Sequence, residues 1–473
     1  MKHLEFDWWA IAIICLAILV RSIGFGQQPA GTYWDETAIW ADANALVATG
    51  KDMHGLPGWQ LIFPSYGDYK MPVLIWLSAA SISLFGSSAF ALRFPSLLAG
   101  ISTVVLTFIL ARQVWPKQPL AARLAALAVA VAPWSIIFSK TAFEGHIAQA
   151  LLAAAAACLL NSKRGVGWLI SATILGALAT YTYFSVRFVW PAVVLAVFLF
   201  QLSRDNKRFT LKQAWVVVRQ ALYTIGVPLL GFALLLLPMV RSPFYAESNR
   251  FRLNADSILK MEDWPLISNQ YREYAGNTTV DRGFFHRSWL MGQELLANYA
   301  DHLDWSYLFL DGDSNLRHGT GRHGLFLLIW LPALVAGFVV LWQKQPTIAA
   351  GLSIWWLMAL LPASVPENTP HALRSLNAQV PLGLVLGFGA ARIVDSVFHF
   401  VLSPLSRWLV IGLGVGILSL QLGEFLLYYH TSYQLASKTA WQSDFAQTIQ
   451  ATLQAAQPNH PILIDHREDK VYL

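Results

Sequence analysis

Charged side chains are scarce in this chain of 473 residues. Asp, Glu, Lys and Arg together make up 13% of it, whereas 56% is hydrophobic and the mean hydropathy is +0.47. Soluble domains usually carry about 25% charged residues. The shortage excludes an ordinary soluble globular protein and predicts a multi-pass membrane protein.

Cysteine and the common nucleotide-binding motifs are also nearly or wholly missing. The two cysteines, Cys15 and Cys158, lie inside apolar runs, so we expect neither a disulfide framework nor a thiolate metal site. We find no P-loop, no GxGxxG after a strand and no Ser-His-Asp signature. The net charge of +6 comes from basic residues scattered between apolar runs, as in membrane-protein loops, so no nucleic-acid partner is expected.

Long apolar runs are what the sequence does contain. A helix needs about 20 apolar residues to cross a bilayer, and we count about eleven such spans. They start near Trp8, Arg93, Ala121, His146, Val166, Phe188, Arg219, His323, Ile348, Val380 and Trp408. No small-residue cleavage motif follows the first run, so we interpret it as a retained span. The predicted fold class is an all-α polytopic membrane protein.

Basic loops set the predicted orientation. Clusters such as Lys163-Arg164 and Arg204 to Lys212 lie in alternate loops, which places those loops and the N-terminus in the cytoplasm. The apolar run from Val73 to Phe85 is too short to span, so we assign it to a juxtamembrane or re-entrant helix with both ends outside. The external parts are then a first loop at 26–92, a long loop at 241–322 and a short C-terminal tail at 431–473, with residues 1–430 forming the membrane domain.

An acidic pair, Asp35 and Glu36, stands near the start of the first external loop. Carboxylates at the edge of a bilayer are candidates for chemistry, since their surroundings can tune them. Neighbouring residues on a helix point in different directions, which predicts a division of labour: one acid faces a reaction centre and the other contacts a structural partner or a metal. The alternative is a solvated loop acid or a helix N-cap.

Further polar residues lie at the outer ends of predicted spans. Each has a structural alternative, such as snorkelling of a cation or a place in the interfacial aromatic belt. A guanidinium or ammonium there suits phosphate oxygens, and an acid or histidine there suits substrate or a metal. These candidates are Asp68, Lys70, Arg93, Glu144, His146, Tyr183, Arg187, His371 and Arg374.

The inventory fits glycosyl transfer from a polyprenyl-phosphate sugar. Attack of an acceptor hydroxyl on the anomeric carbon needs one general base, and the phosphate leaves as an anion without an acid. One carboxylate with cationic phosphate ligands is therefore sufficient. The donor would lie with its tail in the membrane lipid, and the acceptor class stays open between protein, lipid and glycan.

Several short motifs together resemble the GT-C fold glycosyltransferases, in the branch of protein O-mannosyltransferases and lipid A aminoarabinose transferases. They are the acidic pair, Lys70-Met-Pro-Val-Leu-Ile-Trp-Leu, Leu84-Phe-Gly86, Ala91-Leu-Arg-Phe-Pro-Ser96 with Arg93, and His371-Ala-Leu-Arg374 before a late span. The resemblance covers most of residues 1–430.

This resemblance implies inverting transfer on the extracytoplasmic side of a bacterial plasma membrane. It assigns Asp35 the role of base or acceptor-orienting carboxylate, with Glu36 beside it. Glu144 stands where relatives often have an Asp after an Arg, and Lys140 replaces that Arg. No cofactor is certain, although Glu36, Glu144 and His146 are candidate ligands of a divalent metal ion.

Two other functions use similar residues. A transporter or flippase would carry its charges in mid-span and often shows internal repeats. An oligosaccharyltransferase or glycan ligase would use a lipid pyrophosphate donor, usually with a large external domain. The notable charges here lie at span ends on one side, which favours the monosaccharide transferase.

Overall fold

A computed structural model describes residues 7–205, 211–254, 257–259, 263–400 and 403–455. Helices dominate, and the only strands in these ranges are two of two residues each. The described chain starts with α1 (Trp8–Ser22), α2 (Trp34–Thr49), β1 (Phe63–Pro64), β2 (Tyr69–Lys70), α3 (Pro72–Phe85) and α4 (Ala89–Val114). β1 and β2 pair antiparallel, with Phe63 opposite Lys70.

The middle of the chain forms mostly apolar helices. They are α5 (Pro119–Ala130), α6 (Pro133–Phe138), α7 (Glu144–Leu160), α8 (Val166–Thr182), α9 (Val186–Asp205), α10 (Leu211–Ala221) and α11 (Val227–Val240). A π-helical turn at Leu222–Gly226 joins α10 to α11, so that 215–240 is one continuous apolar helix.

The rest of the chain carries a polar helical segment and four further membrane helices. Its helices are α12 (Tyr245–Asn254), α13 (Asp263–Ala275), α14 (Thr279–Phe284), α15 (Arg287–Asp301), α16 (Leu331–Lys344), α17 (Pro346–Leu360), α18 (Gln379–Phe400), α19 (Pro404–His430), α20 (Ser432–Ala436) and α21 (Ser443–Ala455). Residues 456–473 of the predicted tail lie outside the described ranges.

The helices confirm an all-α multi-pass membrane protein. Within the described ranges, six apolar stretches are long enough to cross a bilayer: α4, α9, the helix at 215–240, α17 with the 3₁₀ turn that follows it (Pro346–Ala363), α18 and α19. Shorter apolar helices accompany them, and an apolar helix matches each of the eleven predicted spans. α3 has 14 residues, so it is about 21 Å long against a hydrocarbon thickness of about 30 Å.

Small residues bring the helices into close contact. α18 packs against α5 and α16, α7 against α8, and α17 against α9. A Cβ on Gly387 would stand 2.3 Å from the backbone nitrogen of Ala125, and one on Gly337 would stand 2.4 Å from the carbonyl oxygen of Val385. Because lipid supplies little hydrophobic force between helices, such close van der Waals packing holds them together.

A buried arginine fixes the first helix. Arg21 in α1 donates to the carbonyl oxygens of Val129 and Ala130 at the end of α5, and to the hydroxyls of Ser135 and Ser139. The guanidinium thus supplies donors to carbonyl groups that a helix end leaves without partners. This contact holds α1 at the entrance of the loop that carries Asp35.

The last part of the described chain packs back onto the first loop. Tyr433 and Trp441 are fully buried, and the indole N–H of Trp441 donates to the Tyr433 hydroxyl at 3.0 Å. Gly31, with φ +88°, lies so close that a Cβ there would be 2.5 Å from the Trp441 carbonyl oxygen. The start of the predicted tail therefore belongs to the packed core.

Candidate active site

The acidic pair lies in the first turn of α2. Carboxylates are stabilised there because the backbone N–H groups of a helix N-terminus carry partial positive charge. Successive helical residues are about 100° apart, so the two side chains diverge. Asp35 lines a cavity and keeps 29% of its side chain exposed, whereas Glu36 is completely buried. The predicted divergence of the two acids is thus present in the structure.

The β1–β2 hairpin delivers a lysine to Asp35. The ammonium of Lys70 donates to Asp35 Oδ1 at 2.5 Å and to Asp68 Oδ2 at 2.8 Å. Burial alone would lower the pKa of Lys70, but the neighbouring carboxylates, Asp35 first, raise that pKa above its usual value. Lys70 therefore stays charged and fixes the position of both acids.

The cavity has a volume of about 520 Å³. It lies among the start of α2, the hairpin, the start of α7, the end of α8, α12 and two later loops. Its ionisable lining residues are Tyr33, Asp35, Tyr66, Asp68, Lys70, Glu144, Tyr183, Arg252, Arg317, His318, His371 and Arg374. Sequence-predicted residues far apart in the chain, from Asp35 to Arg374, thus meet around one space.

His371 and Arg374 form one wall. The carbonyl oxygen of His371 accepts from the backbone N–H of Ser375 at 3.1 Å, a single helical turn that places both predicted residues at the cavity. The backbone N–H of His371 donates to His302 Nε2 at 3.0 Å, at the end of α15. α15 therefore supports the loop that carries this wall.

The long segment after α11 supplies cavity residues that sequence analysis did not single out. Arg252 of α12 donates to the Tyr69 carbonyl oxygen at 2.7 Å, next to Lys70. Arg317 donates to Asn315 Oδ1 at 3.0 Å, and its guanidinium stacks 4.1 Å from the centre of the Tyr33 ring. The sequence signal for Arg317 and His318 is the turn-rich stretch at 311–315 that directly precedes them. Arg252 has no comparable sequence signal.

Glu36 and Arg93 lie outside the cavity lining and form a buried ion pair. Arg93 donates to both carboxylate oxygens, at 3.0 and 2.6 Å, and to the carbonyl oxygens of Pro29 and Gly31. Glu36 Oε1 also accepts from the backbone N–H of Ala142 at 2.6 Å. These contacts give Glu36 and Arg93 a structural place between the first loop and α7, away from the predicted catalytic and substrate-binding roles.

His146 and Arg187 also lie outside the cavity. His146 is fully buried in α7, and its ring packs close to Gly100. Arg187 stacks 3.8 Å from the centre of the Phe184 ring and donates to Asn249 Oδ1 at 3.2 Å. Their predicted contact with substrate has no support in this geometry. Within the described ranges, Glu36, Glu144 and His146 do not form a converging set of metal ligands.

Two solved membrane-enzyme structures that hold polyprenyl phosphates resemble the described chain. The described chain matches the crystal structure of ArnT from Cupriavidus metallidurans bound to undecaprenyl phosphate, with a TM-score of 0.56, 13% identity, and coverage of 97% of this chain and 83% of that one. The chain has the GT-C glycosyltransferase fold. The GT-C fold also relates it to the oligosaccharyltransferase AglB from Archaeoglobus fulgidus, in complex with an inhibitory peptide and a dolichol-phosphate. That match has a TM-score of 0.52 and 12% identity, and covers 98% of this chain and 61% of that one.

Sequence comparison agrees over part of the chain. Residues 69–230 match the family described as dolichyl-phosphate-mannose-protein mannosyltransferase. A putative mannosyltransferase, YycA from Bacillus subtilis (strain 168), is 32% identical over 133 residues. That match covers 28% of this chain and 18% of the relative, so it spans less than a fifth of the relative's length.

Proposed function

We propose that this protein is an inverting glycosyltransferase that moves a sugar from a polyprenyl-phosphate donor to an acceptor hydroxyl. The observation that carries the proposal is the single cavity in which Asp35 faces the cations Arg252, Arg317 and Arg374. The ArnT crystal structure is bound to undecaprenyl phosphate, and AglB is in complex with an inhibitory peptide and a dolichol-phosphate, which supports a lipid-linked donor.

In the proposed reaction, the acceptor oxygen attacks the anomeric carbon as the bond from that carbon to the phosphate oxygen breaks. Asp35 takes the hydroxyl proton, and polyprenyl phosphate leaves as an anion. Lys70 holds Asp35 through Oδ1 and so positions the carboxylate. Arg317 and Arg374 stabilise the negative charge that grows on the phosphate, the term that usually contributes most to such catalysis.

The size of the cavity suits the head group alone. About 520 Å³ lies within the usual range for a small-molecule site, which holds a phosphosugar but not a polyprenyl chain as well. The tail is then left to the lipid around the apolar helices. By the distribution of basic loops, the cavity faces the extracytoplasmic side.

Transfer measured in proteoliposomes tests this proposal. A panel of radiolabelled polyprenyl-phosphate sugars would be supplied with membrane extracts as the source of acceptor. Asp35→Asn should abolish release of polyprenyl phosphate, and Arg374→Ala should raise the donor KM far more than the acceptor KM. Arg322→Ala is a matched control, because Arg322 is exposed and pairs with Glu424 rather than lining the cavity.

Two results would count against the proposal. One is wild-type turnover by Asp35→Asn, which would remove this carboxylate from the reaction. The other is a donor KM that changes equally in Arg374→Ala and Arg322→Ala, which would exclude Arg374 as a ligand of the donor phosphate.

A further inference from the structure

Three ligand-type side chains converge beside the cavity. Asp313, His318 and His371 each offer one oxygen or nitrogen atom, and these atoms all lie within 4.8 Å of one another. None of the three is among the metal-ligand candidates that the sequence suggested. We propose that this triad binds a divalent transition-metal ion such as Zn²⁺.

The distances suit such an ion after a small closure. Tetrahedral zinc with bonds of about 2.0–2.1 Å places its ligand atoms about 3.3 Å apart. His318 Nδ1 already lies 3.7 Å from Asp313 Oδ2. The His318 and His371 rings stack with their centres 4.5 Å apart. Binding of an ion therefore requires the imidazoles to rotate until all three atoms reach bonding distance.

An orphaned nitrogen points to a ligand. His318 is 7% exposed, and its Nδ1 has no hydrogen-bond partner within the described part of the chain. A buried polar atom without a partner carries a desolvation cost that a metal bond would remove.

Hydrogen bonds hold the ligands in place. Asp313 Oδ2 accepts from the backbone N–H of Ala372 at 2.8 Å, and Asp313 Oδ1 accepts from that of Asn315 at 2.8 Å. The first of these bonds joins the loop of Asp313 and His318 directly to the segment of His371. Such supporting bonds are typical of metal sites, where they orient the coordinating groups.

The donor set and the surroundings select the kind of ion. Two imidazoles and one carboxylate suit Zn²⁺ and its neighbours, whereas Mg²⁺ prefers oxygen ligands. Arg317 and Arg374 line the same cavity as both histidines, and their charges oppose a cation. We therefore expect modest affinity. Because His318 and His371 line the cavity, an ion bound between them would lie at the cavity wall.

Cobalt titration of the purified full-length protein tests the site, and the outcome does not depend on the proposed function. Co²⁺ should give the visible absorption of a tetrahedral complex at one ion per chain, and added Zn²⁺ should abolish it. His318→Gln and His371→Gln should each weaken binding more than about tenfold. His323→Gln is the matched control, since His323 pairs with Glu424 on the same side of the chain outside the triad.

Other outcomes would overturn the site. A wild-type protein without the tetrahedral cobalt spectrum would leave the triad as a buried packing cluster, whatever the variants do. Equal loss of binding in His323→Gln and His318→Gln would indicate adventitious histidine binding. Size-exclusion profiles and melting temperatures of the apo variants would separate loss of the ligand from loss of the fold.

Discussion

Adjacent acids in α2 are expected to give opposite phenotypes. Glu36→Gln keeps the shape of the side chain but leaves the Arg93 guanidinium without its counter-charge in a site where both side chains are 0% exposed. Removing one partner of such a buried pair costs about 3–5 kcal/mol, since the other charge stays buried. The amide nitrogen of the new Gln would also face an Arg93 N–H in place of the oxygen that accepted it.

Asp35→Asn should behave differently. Asp35 is partly exposed in the cavity, and Lys70 retains Asp68 as a partner at 2.8 Å when the charge of Asp35 is removed. We therefore expect a small change in melting temperature and loss of glycosyl transfer. Glu36→Gln should instead lower the melting temperature strongly, with turnover per folded molecule close to that of the wild type.

Thermal unfolding in detergent, followed by turnover normalised to the folded fraction, measures both properties. A charge-neutral double variant, Glu36→Gln with Arg93→Gln, should recover part of the stability lost in the single variant. A Glu36→Gln protein with wild-type stability and no turnover would refute the structural role and return Glu36 to the reaction.

Three more predictions concern pH, donor binding and topology. Burial raises the pKa of Asp42 in α2 to about 7 from 3.8, so the folded state loses at most about 4 kcal/mol as pH rises through this range; Asp42→Asn should raise the melting temperature at pH 8 and not at pH 4. A larger rise in melting temperature at pH 4 than at pH 8 would contradict this. Arg317→Lys keeps the charge but loses the planar guanidinium, which stacks on Tyr33 and can donate to two phosphate oxygens. Loss of one such hydrogen bond, about 1 kcal/mol, should raise the donor KM about fivefold, and an unchanged KM would exclude a guanidinium contact with the donor phosphate. A reporter fused after Leu473 should be extracytoplasmic, and a cytoplasmic signal would mean a wrong span count.

The membrane helices could be predicted because their signal is local. Eleven spans were predicted from apolar length and composition, and an apolar helix lies at each of them in the structure. The same criteria identified the short apolar run that forms α3. Divergence of Asp35 and Glu36 followed from helix geometry alone. The cavity position of Lys70, Glu144 and Arg374 agrees with their places at one set of predicted span ends.

The buried ion pair, the cavity arginines and the proposed metal ligands depend on tertiary contacts, which leave no local pattern in the sequence. Glu36 and Arg93 are 57 positions apart, and no local pattern shows that the pair is buried. Arg252 and Arg317 reach the cavity because the long segment folds over it, which is a tertiary event. Asp313 and His371 meet only because the loop after α15 packs against the segment before α18, so their ligand geometry could not be predicted.

The contact between Trp441 and Gly31 has a consequence for the order in which the protein matures. The loop that carries Asp35 leaves the ribosome early, yet the surface that supports it is synthesised only after α19 has entered the membrane. A nascent chain stopped before Trp441 would be inserted without the contact that supports the loop leading into Asp35. Synthesis of the segment that contains Tyr433 and Trp441 therefore completes the packing around this loop.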